Sequence, residues 1–456
     1  MGQLAGFYNG KIALVDLTAS TTEILPLPEK TRYEHIGGAT VNAALLEYYH
    51  DGEPLVLGTG PLTGSFAPGS SLMVATFCSS KGDIHHVPFM RNAGPQLKFS
   101  GIDFMVIQGK AQHLSQIEVT NRTISIGLAD QISGFTTAAA EKFLVDQRRG
   151  FTGTILLTGP AAENRHEHSC VSMGPWGSLD KVSLARFMAS KNLKVIVIDG
   201  KGGIAFPEES IILGKALSKR VRDNRQKGEN PAITVLEKMG ADERVKKFLK
   251  KSHKRSYACY NCPFPCMSYV EFKNGDTNNA KGKKKRTGGL LLLDHTGFLA
   301  LANRFRSESL EVMKACLRLG IEPSAAAERL LAEGTAEDAI KIVRKLACLN
   351  DSQNPAKTSA DGAKNGALFK GHIAPKHYRL FGAGIPAIKA GHGEGITGSW
   401  ERRVAMAMVL GICPLLTLIF HEVETEQLLQ LISRNEQHLE SLHERLAASL
   451  NFLLFN

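Results

Sequence analysis

Several things are scarce in this chain of 456 residues, and each scarcity removes a class of protein. Cysteine occurs only eight times, too thinly for a disulfide scaffold in a chain this long. Long apolar runs are missing. The segment nearest to one, Val404 to Phe420, is uncharged but shorter than the ~20 residues a membrane span needs, and Gly411, Cys413 and Pro414 interrupt it. It reads as buried core. The first residues, Met1 to Gly6, show neither a basic n-region nor an apolar h-region, so no signal peptide is visible and the cytoplasm is the expected location. Charge of one sign does not dominate either. The net charge of +11 is concentrated in 244–255 and 281–286, and a chain near balance elsewhere is not expected to bind nucleic acid. With 43% apolar and 22% charged residues, disordered, collagenous and polytopic membrane proteins are excluded.

What is present falls into two textures. Up to about residue 205 the chain reads as short β-rich runs bounded by Gly, Asp or Asn, among them Lys11–Leu17, Met105–Gly109 and Lys194–Ile198. A phrase recurs there: Val56-Leu57-Gly58-Thr59-Gly60-Pro61 and Ile155-Leu156-Leu157-Thr158-Gly159-Pro160 each close a strand with Thr-Gly-Pro, which points to two related halves. After Pro207, helical spacing of apolar residues takes over in 210–224, 237–251, 307–319, 325–333, 336–349 and 424–450. The fold class expected is α+β: a sheet-rich domain of two pseudo-symmetric halves (1–206), then mostly helical domains (207–350 and a shortened 351–456).

The sharpest chemical signal is Cys259-Tyr260-Asn261-Cys262-Pro263-Phe264-Pro265-Cys266. Three thiolates this close suit one soft metal centre, zinc or iron–sulfur, and the two prolines stiffen the loop. For a fourth ligand Cys413 is the leading candidate, because Gly411 and Pro414 break a buried run around it. Cys78, Cys170, Cys316 and Cys348 remain alternatives in apolar settings. His392, in a Gly-rich loop, and His421 are candidate proton donors. His85-His86 and His166-Glu167-His168 look like ligand pairs but read better as packing.

Taken together these residues resemble the aldehyde ferredoxin oxidoreductases, tungsten- or molybdenum-pterin enzymes. The resemblance rests on 10–18, Thr59–Gly64 with Ala67–Ser70, Leu97–Gly101, Gly159–Asn164, Met188–Lys194, the cysteine triplet and Leu410–Cys413. It implies two pterins seated on the sheet-rich base under helical domains, with a four-iron cluster held by Cys259, Cys262, Cys266 and Cys413. It further implies that Asn92, Ala93 and Gly94 form the family's Asn-x-Gly turn near the pterin phosphates, and that Gly320, Glu322 and Gly411 belong to pterin-binding stretches. The implied activity is oxidation of an aldehyde to a carboxylic acid under anaerobic conditions. Electrons would pass through the cluster to ferredoxin or another iron–sulfur carrier, and the protein would be a homo-oligomer or a subunit of a redox complex.

Departures from the family pattern are equally specific. Leu72 stands where an arginine bridges cluster and pterin, and Leu317 and Met408 replace the leading aspartates of two pterin-binding stretches. The loop Ser178–Ser183 lacks the family's glycines and arginines, and Lys283–Thr287 replaces a Glu-containing segment. The alternative they raise is an electron-transfer or scaffold subunit that keeps the cluster and has lost the pterin site, or an aromatic acyl-CoA reductase-like subunit. Arg91, Lys98 and Lys181 are the basic residues available to replace lost anchors. The run Lys281–Arg286 would either dock an acidic carrier or stand as a solvated loop.

Overall fold

The computed structural model describes residues 7–80, 82–121, 123–174, 177–225, 230–273, 287–327, 335–348, 377–380, 383–386, 394–419 and 425–455. His392, His421 and the run Lys281–Arg286 lie outside them.

Two sheets built on one plan form the first part of the chain. The first holds β1 (Lys11–Asp16), β2 (Thr21–Pro26), β3 (Leu55–Thr59), β4 (Met73–Cys78), β5 (Ile84–Phe89) and β6 (Phe104–Gln108), in the order β2-β1-β6-β3-β4-β5. The second holds β7 (Ser115–Thr120), β8 (Thr123–Leu128), β9 (Thr154–Thr158), β10 (Val171–Ser172) and β11 (Leu193–Asp199), in the order β10-β9-β11-β7-β8. In each sheet one pair is parallel, β1 with β6 and β7 with β11, and every other pair is antiparallel. The recurring Thr-Gly-Pro follows β3 in one sheet and β9 in the other, so the repeated phrase marks a repeated topology.

Burial explains the sequence texture. Every residue of β3 and of β9 is buried, which is why both read as unbroken apolar runs. The edge strands β2 and β8 are largely exposed and carry Thr, Ser and Glu.

The helical part departs from the expected pattern in three places. The segment 237–251 is not one helix but two, Pro231–Lys238 and Glu243–Ser252. Gly240 at φ +80 ends the first, and the Asp242 carboxylate caps the second by accepting the Val245 N–H at 2.8 Å. The tail likewise divides into Thr425–Gln430 and Glu436–Phe455. The latter buries Leu442, Leu446, Leu450 and Leu453 at helical spacing against the helices Glu394–Leu410 and Gly38–Tyr48. The third departure is a sheet: β12 (His253–Tyr257), β13 (Met267–Lys273) and β14 (Thr287–Leu292) form an antiparallel ladder inside the helical region. Helical spacing in 325–333 falls mostly outside the described residues.

Val404–Thr417 is core, as its composition suggests. It runs through the end of one helix, a turn at Gly411, and the short helix Pro414–Ile419. Among the described residues no helix is long and apolar enough to cross a membrane.

Candidate metal centre

The cysteine triplet occupies the connection between β12 and β13, closed by the pairing of Tyr257 with Met267. Pro263 and Pro265 have no N–H to satisfy, so few internal bonds hold the loop: Cys262 N–H donates to Cys259 O and Cys266 N–H to Phe264 O. The rest of its order comes from the first half of the sheet region. Tyr260 N–H donates to Arg91 O at 2.7 Å, Tyr260 Oη–H to Gly64 O, and the Asn261 side-chain amide to Ala67 O at 2.9 Å.

Gly69 joins this loop to the distant fourth cysteine. Its N–H donates to Asn261 O at 3.0 Å, and its carbonyl accepts the Cys413 N–H at 2.9 Å. Its φ is +70, and a Cβ there would stand 3.1 Å from both Cys413 Cβ and Leu416 Cδ2. One glycine thus brings together segments that lie far apart in sequence. The spacing of the cysteines gives no hint of this; the only local trace is the Ala67-Pro68-Gly69-Ser70 turn.

Cys259, Cys262, Cys266 and Cys413 line one cavity of about 40 Å³, walled by Met90, Leu179, Met239 and Leu293 and bordered by Asp294 and His295. Cys170 and Cys316 are buried elsewhere and Cys78 is exposed. Burial pushes all four cavity thiols upward, Cys413 to about 12, so they stay protonated and unreactive unless a metal displaces the proton. The buried Ser71 hydroxyl makes no well-formed hydrogen bond; it lies near Cys259 and favours the ionised sulfur. His295, which the sequence did not single out, is kept neutral by burial and donates from Nε2 to Cys266 O at 2.9 Å. Among the described residues, no group of three His, Cys, Asp or Glu is arranged to hold a metal ion. Four thiols lining one cavity are the kind of donor set that an iron–sulfur cluster takes.

Residues 12–200 match the family described as "Aldehyde ferredoxin oxidoreductase, N-terminal domain". The tungsten-containing aldehyde ferredoxin oxidoreductase of Pyrococcus abyssi is 31% identical over 202 residues, covering 42% of this chain and 33% of that protein. Over residues 12–200 the chain is similar to the N-terminal domain of the aldehyde ferredoxin oxidoreductases. A second relative, the "Aliphatic sulfonate oxidoreductase, WOR-like subunit" of Pyrococcus furiosus, is 25% identical and covers 43% of this chain and 35% of that one. The match thus spans about a third of the length of these curated relatives. Among solved structures, the active site complex BamBC of benzoyl coenzyme A reductase in complex with 1,5-dienoyl-CoA shares the fold. Its TM-score is 0.72 at 16% identity, over 99% of this chain and 90% of that one.

Several positions that the resemblance assigns to pterin contacts are spent on packing and internal bonds here. Leu72 and Met408 are fully buried and Leu317 nearly so. The Ala93 and Gly94 N–H groups donate to Met90 O and Ser71 O, and the Asn92 amide donates to Thr152 O at 2.8 Å, tying the two halves together. Glu322 caps the turn after it by accepting the Ser324 and Ala325 N–H groups, and it also pairs with Lys181. Lys181 holds Asp294 at 2.6 Å as well, and Lys98 donates to Phe7 O and Pro61 O. The loop that lacks the family's glycines is organised by Asp180, whose carboxylate accepts the N–H groups of Val171, Val182, Leu184 and Ala185. A pterin phosphate needs unspent donors and cations. These residues do not offer them.

Gly320 and Gly411 have a shared structural use. Each ends a helix in the left-handed region, at φ +73 and +85, with an i+5 bond from the next residue: Ile321 N–H to Cys316 O, Ile412 N–H to Ala407 O. Each packs against the glycine of a Thr-Gly-Pro turn, Gly320 on Gly159 and Gly411 on Gly60. The His pairs are structural too: His86 Nδ1 bonds Thr76 Oγ1, and burial pushes it down to about 3, while His166 Nδ1 accepts the His168 N–H.

Proposed function

We propose that this chain is an iron–sulfur redox protein of the aldehyde ferredoxin oxidoreductase family that carries electrons as a subunit of a larger complex. Cys259, Cys262, Cys266 and Cys413 would hold a four-iron cluster, and the family's pterin positions would serve packing. The carrying observation is one cavity lined by four thiols from two distant segments. When bound, such a cluster supplies reversible one-electron storage. The chain's own part is to keep water away with Met90, Leu179, Met239 and Leu293, to turn the sulfurs inward through Gly69, and to direct the Ser71 hydroxyl toward Cys259. The complex reading is supported by relatives whose names make them a WOR-like subunit and an active-site complex.

A second reading, oxidation of an aldehyde to its acid with ferredoxin as acceptor, is favoured by the 31% identity with a tungsten-containing aldehyde ferredoxin oxidoreductase. Elemental analysis of anaerobically purified protein separates the two. Iron and sulfide near the stoichiometry of one cluster, without tungsten, molybdenum or pterin, is the expected result. One tungsten or molybdenum per chain would establish the second reading, and zinc alone would refute both.

A further inference from the structure

A second cavity, of about 220 Å³, opens where the two halves of the sheet region meet. Met90, Arg91 and Asn92 reach it from the end of β5, Glu141 from the helix Thr137–Asp146, and Met173 and Gly174 from the end of β10. Val145, Phe151 and Ile155 complete apolar walls. Arg91 and Glu141 are the charged residues that line it among those described.

Its charged groups are built in, not incidental. Arg91 adopts φ +62, a conformation that non-glycine residues seldom take, and its backbone is clasped to the cysteine loop. Arg91 O accepts the Tyr260 N–H, while the Arg91 N–H is directed at the Cys259 sulfur. Gly174 makes room for the carboxyl, since a Cβ there would come 2.3 Å from Glu141 Oε1. The floor is fixed by Asn92, which donates to Thr152 O and accepts from Thr154 Oγ1 at 2.7 Å. Burial pushes Glu141 up to about 7 although Arg91 pulls the other way, and burial draws Arg91 down to about 10. A guanidinium beside a carboxyl that keeps its proton near neutrality offers one fixed cation and one neutral O–H donor. A ligand carboxylate accepts from both. A phosphate dianion would meet too little positive charge, and the apolar walls favour a hydrocarbon body.

We propose that this cavity binds a small monocarboxylate, its carboxylate between Arg91 and Glu141 and its apolar body against Met90, Phe151 and Met173. The proposal goes beyond the redox reading and does not need the cluster. Because Arg91 also adjoins Cys259, a bound acid would sit beside the proposed electron-carrying centre.

Titration of the full chain as isolated, followed by calorimetry and ligand-observed NMR, tests it. The probes are hexanoate and phenylacetate, with 1-hexanol and inorganic phosphate as controls. Both carboxylates should saturate, and Arg91→Met should weaken them at least tenfold with Arg91→Lys intermediate. Affinity should fall between pH 6 and pH 8 as Glu141 ionises and repels the ligand, and Glu141→Gln should flatten that fall. Other charges near Glu141 do not line the pocket. Lys142 and Asp146 pair with each other on its own helix, β9 carries none, and Glu311, Lys314 and Arg318 sit on the helix packed beside it. Hexanol or phosphate binding as well as the acids would overturn the proposal, as would unchanged affinity in Arg91→Met. If Arg91→Met does not fold, Met173→Trp fills the cavity from its apolar wall. Undiminished carboxylate binding in that variant would equally overturn it.

Discussion

Gly69 is where the four-thiol cavity depends on one residue having no side chain. Alanine there would force a left-handed φ at about 1–2 kcal/mol and press a methyl group onto Cys413 Cβ and Leu416. Gly69→Ala should therefore lower the iron bound per chain more than it lowers the far-ultraviolet helical signal. Equal losses of both would mean that the glycine serves the fold and not the site. Lys98 offers a residue-scale test of burial. Its ammonium is buried beneath the Tyr8 ring, and desolvation pushes it down to about 7 from an ordinary value above 10. Between those two values the unfolded chain binds more protons than the folded one, so stability rises with pH in that window. The rise approaches about 1.4 kcal/mol per pH unit and levels off below pH 7, where Lys98 is charged in both states. Urea midpoints from pH 7 to 10 should show this slope in the parent chain and a flatter one in Lys98→Met. Identical slopes would show that another group carries the dependence.

The two Thr-Gly-Pro turns are elements that work as sockets. A Cβ on Gly60 would lie 2.2 Å from the Leu410 carbonyl carbon, and one on Gly159 would lie 2.5 Å from Leu319 O. Both obstacles are backbone at the end of a helix, so neither can step aside cheaply. Gly60→Ala and Gly159→Ala should each cost about 3 kcal/mol or more. Gly203→Ala, with nothing within 4 Å, is the control expected to be near neutral. A chemical-denaturation series reads all three, and similar midpoints would refute the socket role. At this scale the sequence was partly legible. The strand runs 11–17, 105–109 and 194–198 appear as β1, β6 and β11 because continuous apolar runs flanked by turn residues have few other uses. The helix expected at 237–251 failed because Gly240 and Asp242 form a stop and a start that apolar spacing alone does not register. The sheet around the cysteine loop was missed because its strands are partly polar and its partners are reached only through the fold.

At the scale of the whole molecule, Lys181 bolts the second half of the sheet region to the helical part. Its ammonium lies between Asp294, at the start of the helix His295–Phe305, and Glu322, just past the end of another helix, all three nearly inaccessible to water. The carboxylates hold the lysine charged against burial, well above its usual value. Removing one partner strands buried charge, so Lys181→Met should cost about 3–5 kcal/mol. Lys181→Met combined with Asp294→Asn and Glu322→Gln should recover part of that loss. Denaturation curves showing no recovery in the triple variant would indicate that packing, not charge, is what Lys181 supplies.

The sequence by itself determined the α+β class, the duplicated halves and the loop of three cysteines, because these are local: periodicity, a repeated phrase, a spacing. Only the tertiary structure decided that Cys413 shares their cavity while Cys170 and Cys316 do not, and that Glu322 and the N–H groups of Ala93 and Gly94 are spent inside the protein. The reason is physical. A motif states which atoms a residue carries, but whether a thiol faces a cavity or a donor stays unspent depends on chain segments hundreds of residues away that compete for the same atoms.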